Sequence, residues 1–163
     1  MRMPPPTAAF LFGHPAHFIA LGFGAGLSRA APGTVGTLVA VPLAWALHRY
    51  ASPPGFLLAI VAVTAVGIWA VRRTAHDLGL PDHGSIVIDE IAAFLLVLFF
   101  AGADILRQCI AFLLFRFFDI VKPPPIRQVD AAMKSAVGVM ADDFLAAGYT
   151  LLVLAIGQRL VGA

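Results

Sequence analysis

Apolar residues in this chain fall into long blocks rather than narrow stripes. Gly33–Tyr50 is apolar around one internal Pro42, and Phe56–Val71 follows the turn Pro53-Pro54-Gly55 and runs to Arg72-Arg73. Ile86–Gly102 and Ile105–Val121 are joined at Ala101-Gly102-Ala103-Asp104, and Val137–Leu160 is the last block. Blocks apolar on every side predict helices surrounded by other helices or by lipid. Pro123-Pro124-Pro125 must end the fourth, because consecutive prolines cannot continue a helical hydrogen-bond ladder. The pattern therefore predicts an all-α fold, a polytopic membrane helical bundle with about four to five membrane helices, some short or interrupted. The last is expected to break near Asp142-Asp143 and at Gly148.

Between these blocks the pattern is weaker. Phe18–Leu27, with Gly22, Gly24 and Gly26, is too short to cross a bilayer and reads as an interfacial or re-entrant piece. Residues 1–12, with Pro4–Pro6, read as an extended leader, lacking the apolar run and cleavage site of a secretion signal. No repeat or flexible linker divides the chain, so residues 1–163 are expected to form one domain.

Composition strengthens the membrane reading. Mean hydropathy is +0.91, and 12% of residues are charged, about half the share in an average soluble domain. A soluble chain of this size has too little interior to hide so many apolar helices. The 11 Lys and Arg form no basic stripe, so nucleic acid is excluded as a partner. Cys109 is the only cysteine, which rules out an intrachain disulfide and a cysteine metal knot.

The acidic residues stand against this background. Asp89-Glu90, Asp119 and Asp142-Asp143 each abut or interrupt an apolar block. Carboxylates in hydrocarbon are expensive unless they pair, bind a cation or line a wet cavity. Following the blocks from Arg29, positions Arg72, Arg73, Lys122, Arg127 and Lys134 return to the same face, which the positive-inside rule makes cytoplasmic. Eight of the nine acidic residues fall there too: Asp77, Asp82, Asp89, Glu90, Asp119, Asp130, Asp142 and Asp143. Arg49, Arg107, Arg159 and Asp104 fall opposite.

Carboxylates at several helix mouths can hold a hard divalent cation, and nearby Arg and Lys can bind phosphate oxygens. Together they suit metal-assisted phosphoryl transfer. Plainer readings compete at each position. Asp89-Glu90 can cap a helix start, Arg116 and Asp119 can pair across one turn, and Arg29, Lys122 and Arg127 can anchor helix ends. His83, beside Asp82, reads equally as a ligand, a proton carrier or a turn residue. Gly33, Thr34, Gly36 and Thr37 can offer amides to phosphate or pack helices closely. Walker loop, dinucleotide fingerprint and nucleophile elbow are all missing.

Four motifs carry a resemblance: GFGAGLSRAAPGTVGTL from Gly22 to Leu38, AHDLGLPDHGSIVIDE from Ala75 to Glu90, FRFFDIVKPPPIRQVD from Phe115 to Asp130, and GVMADD from Gly138 to Asp143. In this order they resemble the bacterial phosphatidylglycerophosphatase A family along nearly the whole chain. The resemblance implies hydrolysis of phosphatidylglycerophosphate to phosphatidylglycerol and phosphate, with Mg2+ as cofactor. It implies residence among the lipids of the bacterial inner (cytoplasmic) membrane, with the site facing the cytoplasm.

By position in these motifs, catalysis falls to Asp89, Glu90, Asp142, Asp143 and Asp119. Metal binding falls to Asp89, Glu90, Asp142, Asp143 and Asp82. Arg29, Thr34, Thr37, Lys122 and Arg127 are the phosphate or headgroup contacts, with Asp77, His83 and Asp130 in a second tier. Water attack and an aspartyl-phosphate intermediate both suit these residues. Ala93 and Ala147 stand where the family usually has glycine. Small-residue helix faces are compatible with a homo-oligomer. The alternatives are a phosphatase for another lipid phosphate and a small transporter. Transport would favour midplane charges and an inverted repeat, neither of which is visible.

Overall fold

Prolines and polar caps set most helix boundaries. The computed structural model describes residues 6–80, 83–133 and 135–161, and among these the fold is all-α. Two short helices, α1 (Ala8–Gly13) and α2 (Pro15–Ala20), lead into a 3₁₀ segment at Gly22–Leu27. Then come α3 (Pro32–Tyr50), α4 (Pro53–Leu78), α5 (Ile88–Ala101), α6 (Ile105–Val121), α7 (Ile126–Ala132) and α8 (Ala136–Val161). The Ser52 hydroxyl caps α4 by accepting from Gly55 N at 3.3 Å, and α4 ends at Gly79, whose φ of 69° suits glycine. Asp104 caps α6 by accepting from Arg107 N at 2.7 Å.

Helix α5 is the axis of the bundle. Ten of its 14 residues are buried, and it packs against α3, α4, α6 and α8. Phe94 meets Phe112 of α6 edge to face and lies tilted against Phe115, while Phe56 of α4 meets Phe99 edge to face. The 3₁₀ segment lies against α3. There Gly26 passes so close to the Ser85 carbonyl that a Cβ would collide with it. This contact and the hydrogen bond from Val87 N to Ala20 O (2.9 Å) tie the segment before α5 to the N-terminal helices.

Among the described residues, two helices, α4 and α8 up to Leu160, are long and apolar enough to cross a membrane. Only 28% and 39% of their most apolar windows are buried within the protein. Leu57, Leu58, Val61, Leu152, Val153 and Ile156 instead face outward, as in a helix whose solvent is lipid. The chain is a membrane-associated helical protein. Helices α5 and α6, with 14 and 17 residues, are shorter than the roughly 20 residues that span hydrocarbon.

The structure departs from the sequence pattern in three places. Helix α8 runs unbroken through Asp142, Asp143 and Gly148; one interior glycine costs only about 1 kcal/mol, which the surrounding apolar packing outweighs. Ala8–Gly13 is helical rather than extended, because the Thr7 hydroxyl accepts from Phe10 N at 3.3 Å and starts a turn. Helix α4 continues past Arg72-Arg73 to Leu78, as charged residues with good helix propensity allow.

Candidate functional site

The chain turns into α5 at the floor of a small polar cavity. His83 shapes that turn: its Nδ1 accepts from Ser85 N at 3.2 Å, and its carbonyl accepts from Ile86 N at 2.8 Å. Asp89 and Glu90 then fall in the first turn of α5, where the helix dipole favours negative charge. Helix α6 brings Asp119 to the same place near its C-terminal end, and α8 contributes Asp142 and Asp143 from its second turn. The cavity has a volume of about 90 Å³, and its polar lining is Asp89, Glu90, Asp119, Lys122, Asp142 and Asp143. Asp89, Asp142 and Asp143 are all buried.

Lys122 is the cation of this cavity. It sits just past α6 in the left-handed region (φ 46°, ψ 62°), a conformation that costs a non-glycine residue about 1–2 kcal/mol. Its Nζ donates to Asp142 Oδ2 at 2.5 Å and lies 3.4 Å from Asp130 Oδ1 on α7. Burial disfavours the ammonium, but the hydrogen bond and charge of Asp142, with Asp130 and Asp143, outweigh that and raise its pKa above the usual lysine value.

On the far side of Glu90 stands Arg116. Its Nη1 is 2.6 Å from Asp119 Oδ2, 3.6 Å from Glu90 Oε1 and 3.3 Å from the Thr37 hydroxyl oxygen. Thr37 is fully buried and donates to the Gly33 carbonyl at 2.8 Å. Gly33, in the first turn of α3, leaves room for these side chains: a Cβ there would displace Glu90 Oε1 and lie 3.1 Å from Arg116 Nη2.

The donor set fits a hard divalent cation. Asp89, Glu90 and Asp143 can each offer one carboxylate oxygen, all within 4.8 Å of one another. Glu90 Oε2 and Asp142 Oδ1 are buried without a hydrogen-bond partner, a costly state for a carboxylate oxygen that a cation would relieve. Among the described residues, five carboxylates and one lysine line the cavity, so a cation also offsets their mutual repulsion. All-oxygen ligation suits Mg2+ or another hard ion.

Of the residues singled out from sequence, Asp89, Glu90, Asp119, Lys122, Asp142 and Asp143 converge here, with Asp130 behind Lys122. Thr34 lies half-buried on the first turn of α3, and Arg29 and Arg127 are exposed outside the cavity lining. Asp77 belongs to a different cluster, held by His17 (2.9 Å), Arg73 (2.8 Å) and His76 (3.1 Å). Asp82 lies outside the described residues. Ala93 and Ala147 are completely buried in the core. Arg116 is the residue that sequence reasoning passed over, because its spacing from Asp119 already explained it as a one-turn pair.

The chain is similar to known proteins along most of its length. A family model described as phosphatidylglycerophosphatase A matches residues 18–158. A Haemophilus influenzae phosphatidylglycerophosphatase A is 41% identical over 143 residues, covering 86% of this chain and 87% of that protein. An Escherichia coli phosphatidylglycerophosphatase A is 37% identical, covering 82% and 77%. A Bacteroides thetaiotaomicron protein provisionally named phosphatidylinositol-3-phosphatase is also 37% identical, covering 88% and 94%. No solved structure matches the chain.

Proposed function

The chain belongs to the phosphatidylglycerophosphatase A family and is a lipid phosphatase, and from that premise we propose that it hydrolyses the terminal phosphomonoester of phosphatidylglycerophosphate. The products are phosphatidylglycerol and inorganic phosphate. The observation that carries the assignment of residues is the convergence of Asp89, Glu90 and Asp143 within 4.8 Å, in a cavity that also holds Lys122.

In this reading Asp89, Glu90 and Asp143 hold Mg2+, with Asp142 beside them. A bound Mg2+ supplies Lewis-acid polarisation of the phosphoryl group and neutralises its charge. Water attacks phosphorus as the bond to the glycerol oxygen breaks, and the leaving oxygen takes up a proton. Asp142, with Asp119 nearby, accepts the proton of the attacking water; its Oδ1 has no hydrogen bond to surrender. Lys122 neutralises the phosphate oxygens, and Arg29, Arg127 and Thr34 contact the headgroup, with Thr37 supporting them from behind. His83 and Asp130 support the rim, while Asp77 stays in its separate cluster with His17, Arg73 and His76.

Helices α3 to α6 and α8 supply the four to five membrane spans in this reading. The site faces the cytoplasm because Arg72, Arg73, Lys122 and Arg127 share its end of the bundle. A homo-oligomer would form through exposed small-residue faces.

The test is phosphate release by purified protein in detergent, from phosphatidylglycerophosphate, phosphatidic acid and phosphatidylinositol 3-phosphate, each with Mg2+ and with EDTA. Turnover is expected to be greatest on phosphatidylglycerophosphate, to vanish in EDTA, and to be lost in Asp89→Asn. Preference for the inositol lipid would support the second reading, which the Bacteroides relative favours. Folded protein that releases phosphate from none of the three would overturn the assignment and favour transport.

A further inference from the structure

Arg116 is bonded more elaborately than a one-turn ion pair requires. A single guanidinium nitrogen reaches acceptors on three helices: Asp119 on α6, Glu90 on α5 and Thr37 on α3. The side chains of Arg116, Glu90 and Asp119 are 14%, 13% and 12% exposed, so this is not a solvated surface pair of small energetic value. The Thr37 hydroxyl spends its hydrogen on the Gly33 carbonyl, which turns a lone pair toward Arg116. Gly33 leaves the space: a Cβ would press on both Arg116 Nη atoms and on Glu90 Oε1. The guanidinium is thus held from one side by α3 while it holds Glu90 from the other.

Arg116 does not line the cavity. Glu90 does, and it offers an oxygen to the three-carboxylate cluster. We propose that Arg116 is a positioning residue of the phosphatase site: braced by Thr37, it aims the Glu90 carboxylate at the cluster and keeps Asp119 turned beside it. The proposal rests on the functional reading above and deepens it. Arginine is required rather than any cation, because the rigid, planar guanidinium fixes the position of Nη1, whereas a lysine ammonium is a strongly hydrated point charge on a flexible stem.

Arg116→Lys keeps the charge and changes only the geometry. The half-saturating Mg2+ concentration, read as the Mg2+-induced rise in melting temperature, is expected to increase about tenfold, as for loss of an outer partner of a metal-binding carboxylate. In parallel, kcat is expected to fall about tenfold with the KM for lipid little changed. Thr37→Val should shift both quantities in the same direction by less, and Thr37→Ser should restore them; this pair serves as the test if Arg116→Lys does not fold. Wild-type Mg2+ response and kcat in both Arg116→Lys and Thr37→Val would overturn the proposal. So would a raised KM with unchanged kcat, which would make Arg116 a substrate contact. A wild-type protein that binds Mg2+ but hydrolyses no lipid would sink the functional reading alone, since the Mg2+ shift in the variants still reports on Arg116.

Discussion

Replacing Lys122 with methionine tests whether the cavity is held together by the one cation that lines it among the described residues. The substitution keeps most of the side-chain length and removes the ammonium from Asp142 (2.5 Å) and Asp130 (3.4 Å). Asp142 is then left buried with neither oxygen paired to Lys122, its Oδ1 having no partner already. Removing one partner of a fully buried pair costs about 3–5 kcal/mol. Because the lysine side chain is 27% exposed and the aspartate 7%, solvent screening discounts this to about 2–3 kcal/mol. For a chain of this length that corresponds to a melting temperature lower by about 4–12 °C, measured in detergent with EDTA.

Adding Asp142→Asn to Lys122→Met removes the stranded charge and should recover more than half of the loss, a coupling that a double-mutant cycle isolates. The sign with pH follows from the raised lysine pKa. The stabilisation is fully present below the ordinary lysine value of about 10.4 and is lost only as pH rises through the higher folded value. The gap between wild type and Lys122→Met should therefore not narrow between about pH 7 and 9. A variant that melts within about 1 °C of wild type across that range, a shift worth less than about 0.5 kcal/mol, would refute the view that Lys122 offsets buried carboxylates.

Two glycine substitutions probe the scaffold around the cavity. Gly26→Ala drives a methyl into the Ser85 backbone carbonyl, and should destabilise the protein by about 1–3 kcal/mol, seen as a lower melting temperature. Gly33→Ala meets Glu90 Oε1 and both Arg116 Nη atoms; displacing the carboxylate by even about 1 Å should cut kcat on the order of a hundredfold, measured by phosphate release. Normal kcat in Gly33→Ala would show that Glu90 tolerates movement.

Much of the fold is legible because the chain punctuates itself. The block Ile105–Val121 coincides with α6, bounded by the Asp104 cap and the run of prolines after Lys122. Gly33–Tyr50 misses α3 by one residue, since proline is favoured in the first turn. The unbroken course of α8 was not legible, because its Asp pair looks disruptive until the facing helices supply a polar cavity for it. The short α1 was hidden by the prolines before it, although Thr7 is a sound cap. The carboxylates of the site were legible as polar residues in apolar surroundings. The role of Arg116 was not, because its links to Glu90 and Thr37 cross 26 and 79 positions and exist only after α3, α5 and α6 meet.

The brevity of α5 has a consequence for how a lipid reaches the cavity. Fourteen residues rise only about 21 Å, against a hydrocarbon layer of about 30 Å. If its far end meets the opposite interface, the carboxylates at its start lie several ångströms beneath the near one, and the bilayer must thin or the protein must admit water to reach them. A substrate lipid then sinks its headgroup into a wet dent while its acyl chains stay among their neighbours. In the proposed reading, hydrolysis would then proceed without extracting the lipid, and the product would drift away in the leaflet from which its precursor came.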